Sequence, residues 1–370
     1  MNMNQYMPVR LMTGKGCVAT AKEELAGLGE RCLILTGKRA AKLCGAFDDV
    51  AAVLDEQKVV WKHVDIIGQN PKFSDCAKAA EEAVSFGAQF IIGIGGGSAL
   101  DAAKCTAVLA ANAGMTQKEL YTFSWPRQPL PTAVVGTTAG TGSEVTKVAV
   151  ITTQEGNKKS IRADSLYPKL ALGDHTYTRT LPENFTRSTA IDALAHCMES
   201  YFCKAANEIS RTHSVRGIRI LLEEFRKMEE SGFESLDLQD REALYNASIY
   251  GGLAINVTGT TMPHTAGYML TERYGLAHGT ACAVFLPQFY FLNKREVPEL
   301  TEKFLAEIGC GETEFLHLLK VTMPEYHVEM RSEEIEREHG RWIGNSSLLK
   351  GVAVMDADQM DEMLRQMFKV

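Results

Sequence analysis

No apolar run in this 370-residue chain comes near the ~20 residues needed to cross a bilayer. The opening stretch, MNMNQYMPVRLMTG, lacks the basic start and apolar centre of an export signal, so a cytoplasmic location without membrane attachment is expected. Positive charge is in deficit: 39 Lys and Arg against 46 Asp and Glu give a net charge of −7. That balance argues against nucleic acid as the main partner, because phosphate backbones need a basic face. Cysteine occurs nine times, an odd number, and never as CxxC. Disulfide frameworks and thiolate zinc sites show regular spacing, so these thiols are expected to be reduced and mostly buried. Internal repeats and low-complexity tracts are also missing. What is present, 45% hydrophobic and 23% charged residues over a length too great for one ordinary core, suits a globular protein of two domains.

The first half alternates two textures. VRLMTG (9–14), CLILTG (32–37), VVWKHV (59–64), QFIIGIG (89–95), TAVVGTT (132–138), KVAVITT (147–153) and KLALGD (169–174) read as strands. Between them, 18–29, 71–87 and 98–114 read as helices, the second opening on Pro71 and closing on Gly87. Apolar strands separated by helices predict a parallel sheet covered on both faces. After Leu181-Pro182 helical periodicity takes over and strand-like runs become scarce. The expected division is therefore an α/β domain over 1–180 and an all-α domain over 181–370. The charge run EEIEREHGR (333–341) reads as a solvated helix face.

Two glycine-rich loops follow apolar strands. In GIGGGSALDAAK (93–104), Gly95, Gly96, Gly97 and Ser98 lead directly into a helix. Such a turn lets backbone approach a ligand, and the free N–H groups at the helix start favour an anion such as a diphosphate. Alone, the cluster reads as easily as a tight turn. It is neither the GxGxxG dinucleotide fingerprint, since Ser98 stands at the third glycine, nor a Walker A loop, since no GKS or GKT follows. The second loop, TTAGTGSEVT (137–146), offers the hydroxyls of Thr137, Thr138 and Thr141. Two such loops at neighbouring strand ends predict a ligand crevice at the carboxyl edge of the sheet. Lys159 either adds a phosphate-binding charge or is simply solvated.

The helical half carries a different chemistry. Asp192 and His196 lie four residues apart in STAIDALAHCMES and share one helix face, where they can hold one divalent cation or form a surface ion pair. His264 and His278 would stand about 21 Å apart on one straight helix. Gly275 interrupts that helix, and a reversal there would bring the two imidazoles together. One Asp and three His, without thiolate, suit ferrous iron best and zinc next, with manganese and cobalt permitted. The remaining histidines are expected at the surface or at caps.

Taken in order, GGGSALDAAK, TTAGTGSEVT, IDALAHCMES, PHTAGYMLTERYGLAHG and CAVFLPQFYFLN resemble the segments of the iron-containing (group III) alcohol dehydrogenase family. The resemblance runs through the whole chain. It implies a Rossmann-like N-terminal domain binding NAD or NADP and an all-α C-terminal domain holding the metal, with the reaction between them, an architecture shared with dehydroquinate synthase. It also implies Asp192, His196, His264 and His278 as metal ligands. Gly96, Gly97 and Ser98 would lie on the diphosphate with Asp101 nearby, Thr137, Thr138 and Thr141 on the nicotinamide side, and Lys159 near ribose and phosphates. The expected partners are a small alcohol or aldehyde and a second copy of the chain.

Two departures stand out. Many relatives carry a proton-relaying His four residues after the third ligand, where this chain has Tyr268, a phenol that titrates near 10 and shuttles protons poorly at pH 7. The second strand ends at Gly37, followed by Lys38 and Arg39, instead of the Asp that binds a ribose 2′-OH. That turn leaves room for a 2′-phosphate and suggests a preference for NADP(H). The sequence alternatives to an alcohol dehydrogenase are an oxo-acid reductase resembling maleylacetate reductase, a lyase resembling dehydroquinate synthase, and a non-enzymatic nucleotide sensor. Asp192, where that lyase normally has Glu, counts against the lyase.

Overall fold

A computed structural model describes residues 3–370. Six strands form one wholly parallel sheet: β1 (Arg10–Thr13), β2 (Arg31–Thr36), β3 (Val60–Val64), β4 (Phe90–Gly95), β5 (Thr132–Gly136) and β8 (Leu170–Gly173), in the order β1-β8-β5-β4-β2-β3. The four central strands are the ones with continuous apolar runs, and they are buried on both faces. The edge strands β1 and β3 carry Arg10, Lys62 and His63 and are only partly covered.

Period-two alternation divides the core. Cys32, Ile34, Ile92, Val135 and Leu172 point to one face, where α1 (Ala46–Glu56) contributes Val50 and Leu54. Leu33, Leu35 and Ile91 point to the other. There α2 (Phe73–Phe86) and α3 (Gly97–Ala111) contribute Ala79, Ala83, Ala102 and Val108. From β2 the chain moves outward to β3, and from β4 it moves the opposite way to β5. The carboxyl ends of β2 and β4 thus flank a topological switch point, the usual ligand position in open α/β sheets.

KVAVITT is a strand but not part of this sheet. β6 (Val148–Thr152) pairs antiparallel with β7 (Lys158–Arg162) in a separate hairpin. The connection between them, residues 153–157, is far too short for a parallel crossover, which takes a dozen or more residues.

The longer helices that follow are α4 (Glu183–Tyr201), α5 (Glu208–Ser231), α6 (Leu238–Thr258), α7 (Met262–Tyr274), α8 (His278–Ala283), α9 (Leu286–Glu296), α10 (Pro298–Ile308), α11 (Glu312–Thr322), α12 (Ser332–Trp342) and α13 (Ala357–Phe368). Among the described residues no helix is long and apolar enough to cross a membrane. Compactness divides the chain discontinuously: Tyr6–Pro182 with Asp237–Gly252 forms the sheet unit, while Glu183–Leu236 and Leu253–Val370 fall in the helical unit. The first part of α6 therefore belongs to the sheet unit, which a single cut at 180 does not capture. The reason is local packing. The Tyr245 phenol donates to Glu144 Oε1 at 2.8 Å; its ring fills space that a Cβ on Gly173 would occupy, and its hydroxyl with Glu144 Oε1 fills the space beside Gly136.

A smaller expectation also changes. The α12 charge run is not wholly solvated, because Glu338 is buried and paired with Arg273 and Arg341. His175 is buried at the start of a short helical turn, His175–Thr180, beside its cap Asp174.

The GGGSALDAAK motif has a bracing function. The Lys104 side chain is fully buried and its ammonium donates to the carbonyl oxygens of Ser143, Thr146 and Val148 at 2.7–3.0 Å, and to Ser143 Oγ at 2.8 Å. Burial pulls Lys104 down to about 8 against the opposing pull of Asp101 and Glu144. Asp101 Oδ1 accepts from Ser143 Oγ at 2.6 Å and Oδ2 from Val150 N at 2.8 Å. Both carboxylate oxygens of Asp101 are thus engaged in holding the second glycine loop. Lys104→Met would leave the buried carbonyl oxygens of Ser143, Thr146 and Val148 without this donor, so it should cost about 3–5 kcal/mol of stability. A thermal melt unchanged by this substitution would remove the bracing role.

Candidate metal centre

The helical unit concentrates chemistry in one place. Asp192 and His196 project from the same face of α4 and are both buried. His264 lies in the first turn of α7, and His278 opens α8. Gly275 closes α7 in the left-handed conformation (φ 67°), which lets the chain reverse between the two histidines. Their ring centroids lie 5.2 Å apart.

Close helix packing completes the convergence. A Cβ on Gly279 would stand 1.9 Å from the Ser188 carbonyl oxygen and 2.8 Å from Asp192 Cβ. On α7, a Cβ at Gly267 would stand 2.8 Å from the Cys282 backbone nitrogen. The missing side chains allow α8 to rest directly on α4 and α7.

Among the described residues, Asp192, His264, His278 and Cys282 present donor atoms that all lie within 4.8 Å of one another. His196 is not one of these four; its ring stacks on that of His264 at 4.6 Å between centroids. Tyr268 stacks on His278 at 5.8 Å. Cys282 was not singled out in the sequence. It stands four residues after His278, and that spacing was the available signal.

Glu199 was also missed, although it lies three residues after His196 and seven after Asp192 on the same helix face. It is fully buried. Oε1 accepts from His264 Nδ1, and Oε2 accepts from the N–H and hydroxyl of Thr261. This bond fixes the His264 tautomer and directs the Nε2 lone pair into the cluster.

Two buried atoms in the cluster, Asp192 Oδ1 and His264 Nε2, make no hydrogen bond. They face each other at 3.5 Å. Donors about 2.1 Å from one tetrahedral ion stand roughly 3.4 Å apart, so the spacing fits a shared cation. Leaving such atoms unmatched in the interior is costly, and a divalent ion satisfies both. The electrostatics point the same way. Burial opposes ionisation of Asp192, but His196, His278 and His264 outweigh it and hold the carboxyl well below the usual range. Burial likewise opposes charge on His264, yet Cys282, Glu199 and Asp192 raise it well above an ordinary imidazole.

The cofactor candidates belong to the sheet unit. Gly95 of β4 pairs in register with Gly136 of β5, so the two loops leave neighbouring strands at the same level. Thr137 N donates to Gly95 O at 2.9 Å. Thr138 packs against Gly96 and Thr141 against Gly97, so closely that a Cβ on either glycine would fall at 3.0 Å or less from the threonine methyl. Ser98 Oγ accepts from Asn70 N at 3.2 Å. Gly37 follows β2, with Lys38 and Arg39 exposed beyond it. Lys159 is exposed on β7 with its ammonium 4.4 Å from the Tyr121 ring centre.

Comparison with known proteins agrees with both halves. The model of iron-containing alcohol dehydrogenases matches residues 8–175, and that of the C-terminal part of the same family matches 186–317. The chain belongs to the iron-containing alcohol dehydrogenase family. Within it, alcohol dehydrogenase 4 of Schizosaccharomyces pombe is 31% identical over 312 residues, covering 83% of this chain and 73% of that one. A solved iron-containing alcohol dehydrogenase from Thermotoga maritima superposes with a TM-score of 0.91 at 30% identity, covering 99% of both chains. Sulfoacetaldehyde reductase from Bifidobacterium kashiwanohense, solved with NAD+, gives 0.88 at 25% identity over the full length of both.

In this family member the Glu199–His264 bond makes a specific demand. Glu199→Gln should keep the fold and weaken divalent-metal affinity by about 10- to 100-fold. Competition with a chromogenic chelator measures it, and unchanged affinity would rule out the orienting role.

Proposed function

We propose that this protein is a metal-dependent, nicotinamide-linked alcohol dehydrogenase acting on a small alcohol and its aldehyde or ketone. The observation that carries this reading is the pair of buried, unmatched atoms, Asp192 Oδ1 and His264 Nε2, facing each other beside His278. The proposed ligands are Asp192, His196, His264 and His278, with ferrous iron as the first choice of cation and zinc as the second. A bound cation supplies Lewis acidity to a substrate oxygen and favours alkoxide character there.

The reaction is alcohol plus NAD(P)+ giving carbonyl compound, NAD(P)H and a proton. A bound nicotinamide would supply the hydride chemistry, so the protein's share is orientation and electrostatics. Asp192 provides the fixed negative charge of the centre. His278 and Tyr268 are the partly exposed residues of the site, so substrate approaches on their side. The Tyr268 phenol, whose ring stacks on His278, would donate to or accept from the substrate oxygen in this reading.

For the cofactor, the start of α3 at Gly95, Gly96, Gly97 and Ser98 takes the diphosphate. Thr137, Thr138 and Thr141 take the nicotinamide side, Asp101 holds their loop, and Lys159 adds charge near the phosphates. Gly37 with exposed Lys38 and Arg39 supports NADP(H), since no carboxylate there opposes a 2′-phosphate. The NAD+ in the sulfoacetaldehyde reductase structure supports the simpler cofactor.

His264→Ala should lose both metal and turnover; a metal-free variant working at the wild-type rate would end the proposal. Comparing kcat/KM with NADPH and NADH decides the cofactor. The Lys38-Arg39 turn predicts the larger value with NADPH, and a strong NADH preference defeats that prediction.

A further inference from the structure

We propose that Cys282 is an additional ligand of the cation, a thiolate in a centre otherwise built from oxygen and nitrogen. The inference rests on the reading that this centre binds a divalent cation. It adds a donor that the four-residue ligand set does not contain.

The position follows from α8. His278 and Cys282 are four residues apart on that helix and so share a face. The Cys282 side chain is fully buried. Its Sγ lies 3.7 Å from His278 Nδ1 and within 4.8 Å of the donor atoms of both Asp192 and His264. A sulfur about 2.3 Å and a nitrogen about 2.1 Å from one tetrahedral ion stand roughly 3.6 Å apart, close to the separation found here. The same cluster contains Asp192 Oδ1 and His264 Nε2, both buried and without hydrogen-bond partners. These atoms identify the point at which a cation is needed, independently of the thiol.

Backbone packing fixes the thiol in place. Gly267 of α7 leaves no room for a side chain against Cys282 N, so α8 cannot withdraw from α7 without opening the core. Binding is charge-balanced: the thiol proton leaves to solvent as the sulfur donates its electron pair to the cation, with no change of oxidation state. A thiolate makes the donor set softer. It favours zinc, cobalt or ferrous iron over magnesium or manganese.

Cobalt(II) titration of the full-length protein tests this, using absorbance, with Cys282→Ser and Cys282→Ala as variants. The unaltered protein should show visible ligand-field bands and a near-ultraviolet thiolate-to-cobalt band. Both variants should keep the ligand-field bands, lose the charge-transfer band and bind cobalt at least about tenfold more weakly. Ligand-field bands without charge transfer in the unaltered protein would overturn Cys282 as a ligand while leaving the metal centre standing. So would a charge-transfer band that survives undiminished in both variants. Failure to bind cobalt stoichiometrically, with no ligand-field bands, would overturn the metal reading itself.

Discussion

The contact of Gly279 with Ser188 and Asp192 is the constraint on which the metal centre depends. α8 is only six residues long and has little stability of its own. It is held by lying directly against α4 and α7, with Gly279 and Gly267 at the points of closest approach. That packing brings the donors of α8 to those of α4 and α7. A methyl group at either glycine would push the helices apart, and a cation site tolerates displacements of only a few tenths of an ångström. Core packing and site geometry are therefore one problem here.

Electrostatics then determines what such a core can hold. Asp192, His264 and Glu199 lie out of water, where each polar atom needs a partner. Glu199 is satisfied by Thr261 and by His264 Nδ1. The opposite edge of the His264 ring and the facing oxygen of Asp192 stand 3.5 Å apart without a hydrogen bond, an arrangement that favours positive charge between them. The polar interior is arranged in two layers: Asp192 and the far edge of His264 face each other, and Glu199 behind them orients the His264 ring.

The sheet unit solves a different problem, holding its glycine-rich loops in place without collapse. Its glycines are confined by neighbours: Thr138 covers Gly96 and Thr141 covers Gly97. Lys104 and Asp101, both from α3, hold the loop that carries those threonines. The lysine and aspartate of the motif are thus structural supports for its glycines. This preorganises the N–H groups at the start of α3 at little further entropic cost on binding.

Much of this was legible in the chain itself. Continuous apolar runs reported the buried central strands, and the glycine clusters reported the two tight loops that follow neighbouring strands, because both depend on local composition. Asp192 and His196 could be placed on one face by helical spacing alone. The meeting of His264 and His278 could only be permitted by Gly275, since a reversal needs tertiary packing to fix its direction. Cys282 and Glu199 had only helical spacing to mark them, which does not suffice, because a thiol or carboxylate is identified as a donor by what surrounds it. The same holds for the β6–β7 hairpin and for the joining of residues 237–252 to the sheet unit. Strand partners and helix neighbours are chosen by long-range burial, which no local pattern encodes.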